Sequence, residues 1–134
     1  TILDLASGAG MPARILTEEI IGLGKQPPNF YLTDLFPNTD QWEPICKQFP
    51  SIQSLCDPLD ATQIPPAISE NRARVIINAF HHFPPSLAQG VVNDAIEKRA
   101  PLFIAEGFQR NPLQFLNFIP MGMLVLYANP LLTR

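Results

Sequence analysis

At 134 residues, 46% of them apolar and 16% charged, the chain has the length of one domain and is too apolar for an intrinsically disordered composition. A net charge of −3 and a pI of about 5.2 supply no bulk field to attract nucleic acid or an anionic membrane surface. The two cysteines, Cys46 and Cys56, match neither a redox CxxC pair nor a zinc knuckle, and read as reduced thiols of a cytoplasmic protein.

Residues 1–5 read as a short apolar strand interrupted only by Asp4. Residues 12–23 repeat apolar side chains at helical spacing, Ile15, Leu16, Ile20 and Leu23, and Gly22 and Gly24 close the segment. A second strand is expected at 30–33, and a helix to residue 49 capped by Thr39 or Asp40. Residues 52–56 form a third strand. Residues 74–80, with Val75-Ile76-Ile77 at the centre, form a fully buried fourth. A helix over 85–99 would present Leu87, Val91, Val92, Ala95 and Ile96 on one face, and 101–106 is a fifth strand. The prolines fall at the joints, among them Pro27-Pro28, Pro65-Pro66 and Pro84-Pro85.

Strand and helix thus alternate five times. That order predicts an α/β fold: a three-layer α/β/α sandwich on a mainly parallel sheet of about five strands. Such sheets bind ligands at the carboxyl ends of their strands, near the point where strand order reverses. The informative residues are those that follow each strand.

After the first strand comes Asp4-Leu5-Ala6-Ser7-Gly8-Ala9-Gly10, whose small residues allow a tight turn and close approach of backbone to a ligand. Aligned on Ala6 and Gly8, a GxGxxG nicotinamide fingerprint would put bulky Met11 at its third position. Aligned on Gly8 and Gly10 it would put Ala13 there and leave Asp4 without a role. The other reading is an acidic residue followed by GxGxG, with Ala6 replacing the first glycine. In this form the segment resembles motif I of the class I, Rossmann-like methyltransferases that use S-adenosylmethionine. Their cofactor carries ammonium and sulfonium charges and no phosphate, so a carboxylate at the site is an aid instead of a repulsion.

The resemblance runs through the following strand ends. Asp34 with Leu35 takes the place of the ribose-binding acid, although an N-cap or turn aspartate is the ordinary alternative. Asp60-Ala61-Thr62-Gln63-Ile64-Pro65 resembles the family string whose Asp and following N–H meet the adenine, with Asp57 as second choice. Asn78 and Ala79 would lie under the methyl donor. They lack the Pro-Pro-aromatic sequence of enzymes that methylate nucleobase amines. His81-His82 follow them. The resemblance makes His81 the candidate general base or acceptor-orienting residue. Two adjacent histidines at a strand end are expected to point in different directions, and as metal ligands they lack partners, so no metal site is predicted. Glu106 ends the fifth strand, where the family often has an acid that shapes the acceptor pocket or balances a charge.

The resemblance therefore implies that S-adenosyl-L-methionine is held by Asp4, Ala6, Ser7, Gly8, Gly10, Asp34, Leu35, Asp60, Ala61, Asn78 and Ala79. The acceptor would be a small molecule. Residues 1–134 would be one methyltransferase domain, an incomplete seven-stranded fold truncated at both ends. The apolar residues 113–132 read as a buried helix, a lid implying a lipid-like acceptor, or a membrane-surface contact, but not as a membrane span. A nicotinamide-dependent oxidoreductase and a non-catalytic binding module are the rival readings. Oligomeric state is not encoded in any feature of the sequence.

Overall fold

A computed structural model of the chain describes residues 1–107. Five strands, β1 (Ile2–Leu5), β2 (Phe30–Thr33), β3 (Ile52–Ser54), β4 (Ala73–Ile77) and β5 (Leu102–Ala105), form one sheet. Every pairing is parallel, and the spatial order is β3-β2-β1-β4-β5. The chain winds from β1 through β2 to β3, then returns to the other side of β1 for β4 and β5. Strand order thus reverses between β1 and β4, the position where Rossmann-like sheets open a crevice above their strand ends.

Side chains on a strand alternate between faces, and this alternation divides the core in two. Ile2, Phe30, Leu32 and Ile52 pack against α1 (Met11–Gly22) and α2 (Thr39–Gln48) through Ala13, Trp42 and Ile45. Leu3, Leu5 and Ile76 face the other way, toward Val91 of α4 (Pro85–Glu97) and Ile68 of the short α3 (Pro66–Ser69). Helices therefore lie on both faces of the sheet.

Several boundaries depart from expectation for physical reasons. β3 ends at Ser54 and β4 at Ile77, and Phe80–His82 form a 3-10 turn. Asn78, at φ 54, bends the chain out of the strand before the histidines. On α1 the sheet-facing residues are Ala13 and Thr17, while Ile15, Leu16 and Leu23 are exposed. Small side chains let this helix sit close to the sheet, and of its larger apolar residues only Ile20, on the same helical face, is half-buried. On α4 the buried ridge is Val91, Asp94 and Ala95, and Ile96 is exposed. Asp94 is drawn into this ridge because its carboxylate pairs with the fully buried Arg74 of β4, Oδ2 to Nη1 at 2.8 Å. Ser69 accepts from Arg74 Nη2 at 2.7 Å, and Lys98 reaches both Asp94 and the Ile64 carbonyl. α2 begins at Thr39 after Asn38, with no side-chain cap. Residues 113–132, and whatever lid or surface they form, lie outside the described residues.

Candidate functional site

The Asp4–Gly10 segment follows β1 on one side of the switch point, and Asn78–His82 follow β4 on the other. The first loop is tightly specified. Ala6, Gly8 and Gly10 all adopt left-handed backbone, at φ 55, 52 and 75. Glycine does this freely, whereas Ala6 carries a strained Cβ. Gly10 is also confined by its surroundings: a Cβ there would lie 3.1 Å from Leu32, 3.2 Å from Trp42 and 3.3 Å from Ile45.

Hydrogen bonds stitch this loop to β2. The Ser7 N–H donates to the Thr33 carbonyl at 3.0 Å, and the Ser7 hydroxyl accepts from the Thr33 N–H at 3.0 Å. The hydroxyls of Ser7 and Thr33 both donate to the Asp4 carbonyl, each at 2.8 Å. The Ser7 side chain is thus turned inward and spent on the scaffold. The fully buried Trp42 donates its indole N–H to the Gly8 carbonyl at 2.8 Å. In the sequence, the one signal for Trp42 is that it is the chain's only tryptophan and stands on a largely polar helix.

Asp4 is the electrostatic centre of the site. It is 1% exposed, on the central strand, and its Oδ2 has no hydrogen-bond partner among the described residues. Burial pushes its carboxyl up to about 7, with the Ser7 hydroxyl pulling down and the charge of Asp34 adding to the rise. Asp34 itself is half-buried. Its Oδ2 accepts from the Gly8 N–H at 2.9 Å and its Oδ1 from the Phe36 N–H at 3.0 Å. Asp34 therefore makes the turn that the sequence left as an alternative, and it also ties the β2 end to the β1 loop. Leu35 beside it is exposed.

Asp60 likewise makes a turn. Its Oδ1 accepts from the Thr62 N–H at 2.8 Å and from the Thr62 hydroxyl at 2.7 Å. The Leu59 N–H donates to the Asp34 carbonyl at 2.8 Å, which brings the Asp60-Ala61 loop alongside the β2 end. Gly90 of α4 keeps this loop close: a Cβ there would lie 2.9 Å from Thr62 Cγ2.

Beyond β4, two bonds join the strand ends. Asn78 accepts from the Gly107 N–H at 2.6 Å, and Glu106 accepts from the Phe80 N–H at 2.8 Å. The other oxygen of Glu106 lies 2.5 Å from His81 Nδ1. The His81 and His82 rings lie against each other, centroids 3.9 Å apart and planes tilted by 43°. They do not diverge as strand neighbours would, because they stand on a 3-10 turn. Ala79 is partly buried and packs against the core between the sheet and α4.

The structure thus brings Asp4, Ala6, Ser7, Gly8, Gly10 and Asp34 into one bonded unit. Asp60 and Ala61 lie beside it, and Asn78, Ala79 and His81 across the switch point. A depression of about 700 Å³ lies elsewhere, at the amino ends of β4 and β5, lined by Arg72, Lys98 and Arg99. Two of its cations are already engaged, Arg72 by the Ile68 carbonyl and Lys98 by Asp94, and it lies at the opposite ends of the strands from the loops above. Among the described residues no three or more metal-ligating side chains gather, and no helix is long and apolar enough to cross a membrane. Comparison with protein-family models, curated proteins and solved structures gives no match.

Proposed function

We propose that this chain binds S-adenosyl-L-methionine at the carboxyl end of its sheet and transfers the methyl group to a small-molecule acceptor. The observation that carries the reading is Asp4: a buried carboxyl with one unpartnered oxygen, held up to about 7 chiefly by burial and further by the charge of Asp34. A cationic ligand beside it would favour its ionised form, and a pyrophosphate would oppose it. This favours a cofactor with an ammonium and a sulfonium over a nicotinamide dinucleotide. The residues present fit such a ligand. Asp4 would meet its ammonium group, the backbone from Ala6 to Gly10 its amino-acid part, Asp34 with Leu35 the ribose, and Asp60-Ala61 the adenine. Asp34 keeps lone pairs after its two backbone bonds, and Asp60 Oδ2 is left over from the turn with Thr62. Asn78 and Ala79 would close the site from the β4 side, and His81 is the candidate base. When bound, the cofactor supplies an electrophilic methyl group; the chain supplies alignment of donor and acceptor.

The net charge of −3 offers nucleic acid no attraction, so the acceptor is proposed as a small molecule. Two free cysteines, one exposed, fit a reducing cytoplasmic setting.

Calorimetric titration of the full chain with S-adenosylmethionine, its demethylated product and NAD tests the reading. Binding of the first two, weakened roughly tenfold or more by Asp34→Asn, is expected, that substitution removing one charge-assisted hydrogen bond. Binding of NAD alone would transfer the assignment to an oxidoreductase, and binding of none would leave a non-catalytic module.

A further inference from the structure

We infer that the depression at the amino ends of β4 and β5 binds the phosphoryl group of a small organic phosphate. It stands at the opposite ends of the strands from the proposed cofactor site and does not rest on that reading. The turns that lead into β4 and β5 line it, and it holds about 700 Å³, the size of a small-molecule site. Arg72, Lys98 and Arg99 face a single carboxylate in its lining, the exposed Glu70. Three cations thus stand together in a chain whose net charge is −3.

A charge imbalance lies beneath them. Arg74 is fully buried on β4 and Lys98 is largely covered, yet the two share one carboxylate. Asp94 gives Oδ2 to Arg74 and Oδ1 to Lys98, so the buried group holds two cations and one anion. Ser69, the other partner of Arg74, is neutral, and Arg74 Nε has no partner among the described residues. Interior charges are ordinarily paired, because an unbalanced one forfeits its hydration. Ser69 and Lys98 belong both to this group and to the lining of the depression, so an anion seated there would supply the missing charge. Arg72 and Arg99 provide the outer contacts. Arg72 is fixed by its Nη1 bond to the Ile68 carbonyl at 2.9 Å and by the Tyr31 ring, 5.0 Å away, and keeps further N–H groups for a ligand. Arg99 pairs with no carboxylate among the described residues. A phosphate monoester carries about −1.5 to −2 charges at neutral pH and three acceptor oxygens, which matches several arginine and lysine donors at once. Pro66, Ala73 and Pro101 form the wall for its organic part.

Titration of the 15N-labelled full chain with phenyl phosphate, read by calorimetry and amide shifts, tests the site. A dissociation constant of about 1 mM or below is expected at low salt, with shifts gathered at residues 69–73 and 98–101. Arg99→Asn should weaken binding roughly tenfold by removing charge-assisted hydrogen bonds. Asparagine accepts the left-handed backbone of this position, φ 51, so the urea midpoint should not fall. Lys47→Gln removes the same charge from α2 and should leave the affinity unchanged. Inorganic phosphate should bind roughly threefold or more weakly, because it lacks the apolar part. Equal affinity for inorganic phosphate would mean an adventitious ion only and overturn the site. An equal loss in Lys47→Gln, shifts centred on residues 6–10 instead, or no saturation at millimolar concentration would overturn it too.

Discussion

Replacing Asp4 by asparagine removes a charge from the centre of the sheet with almost no change in size. In the wild type this carboxylate is 1% exposed and ionises only at about 7, against 3.8 when freely solvated. Below the lower value it is protonated in both folded and unfolded chains and does not affect stability. Between the two values the unfolded chain releases the proton while the folded chain keeps it, so stability falls as pH rises. Above 7 the folded chain bears the full penalty. Each tenfold change in proton affinity is worth about 1.4 kcal/mol, which puts that penalty at roughly 4 kcal/mol. The asparagine amide never titrates, and its buried N–H lacks a partner at every pH, as the O–H of the protonated carboxyl does at low pH. The stability of Asp4→Asn relative to the wild type is therefore expected to rise by roughly 4 kcal/mol between pH 4 and pH 8, leaving the variant the more stable at pH 8. Urea unfolding of both proteins without ligand, at intervals between those limits, measures the difference. Other titrating groups largely cancel in it. A difference that does not change with pH would refute the reasoning, because it would mean Asp4 ionises as a solvated carboxyl does.

Other substitutions test the packing around the site. Ala6→Gly relieves a left-handed alanine at φ 55 and should raise the unfolding free energy by ~1 kcal/mol. Gly10→Ala combines φ 75 with three contacts of 3.1–3.3 Å and should lower it by about 2–4 kcal/mol, read from the shift in urea midpoint. Asp94→Ala leaves the Arg74 guanidinium buried without its carboxylate. Thermal and urea melts should show a loss of about 3–5 kcal/mol, and a loss under 1 kcal/mol would mean water reaches Arg74.

The parallel sheet was legible because its signal is repetitive: apolar runs alternating with helical spacing, with prolines at the joints. The placement of loops at strand ends follows from that order. Local sequence could not show how each loop residue is used. Asp34 and Asp60 look alike as strand-end acids. Distant partners differentiate them: Asp34 grips Gly8 from 26 residues away, while Asp60 bonds only its own turn. The contact between Glu106 and His81 spans 25 residues and exists only because β4 and β5 are neighbours in the sheet. The buried faces of α1 and α4 depart from their apolar periodicity for a related reason. Periodicity locates an apolar stripe, but a close-packed helix can turn alanine and threonine to the sheet, and a buried arginine can draw in an aspartate.

Trp42 carries one more consequence. It is the chain's single tryptophan, fully buried, and its indole N–H is bonded to the Gly8 carbonyl. The molecule therefore carries an intrinsic fluorophore attached to the glycine loop, with no second tryptophan to obscure its signal. Emission from a dry, hydrogen-bonded indole moves to longer wavelength when water reaches the ring. Loosening of the β1 loop, by substitution, by pH or by a bound ligand, can thus be followed as a change in colour of the unlabelled protein.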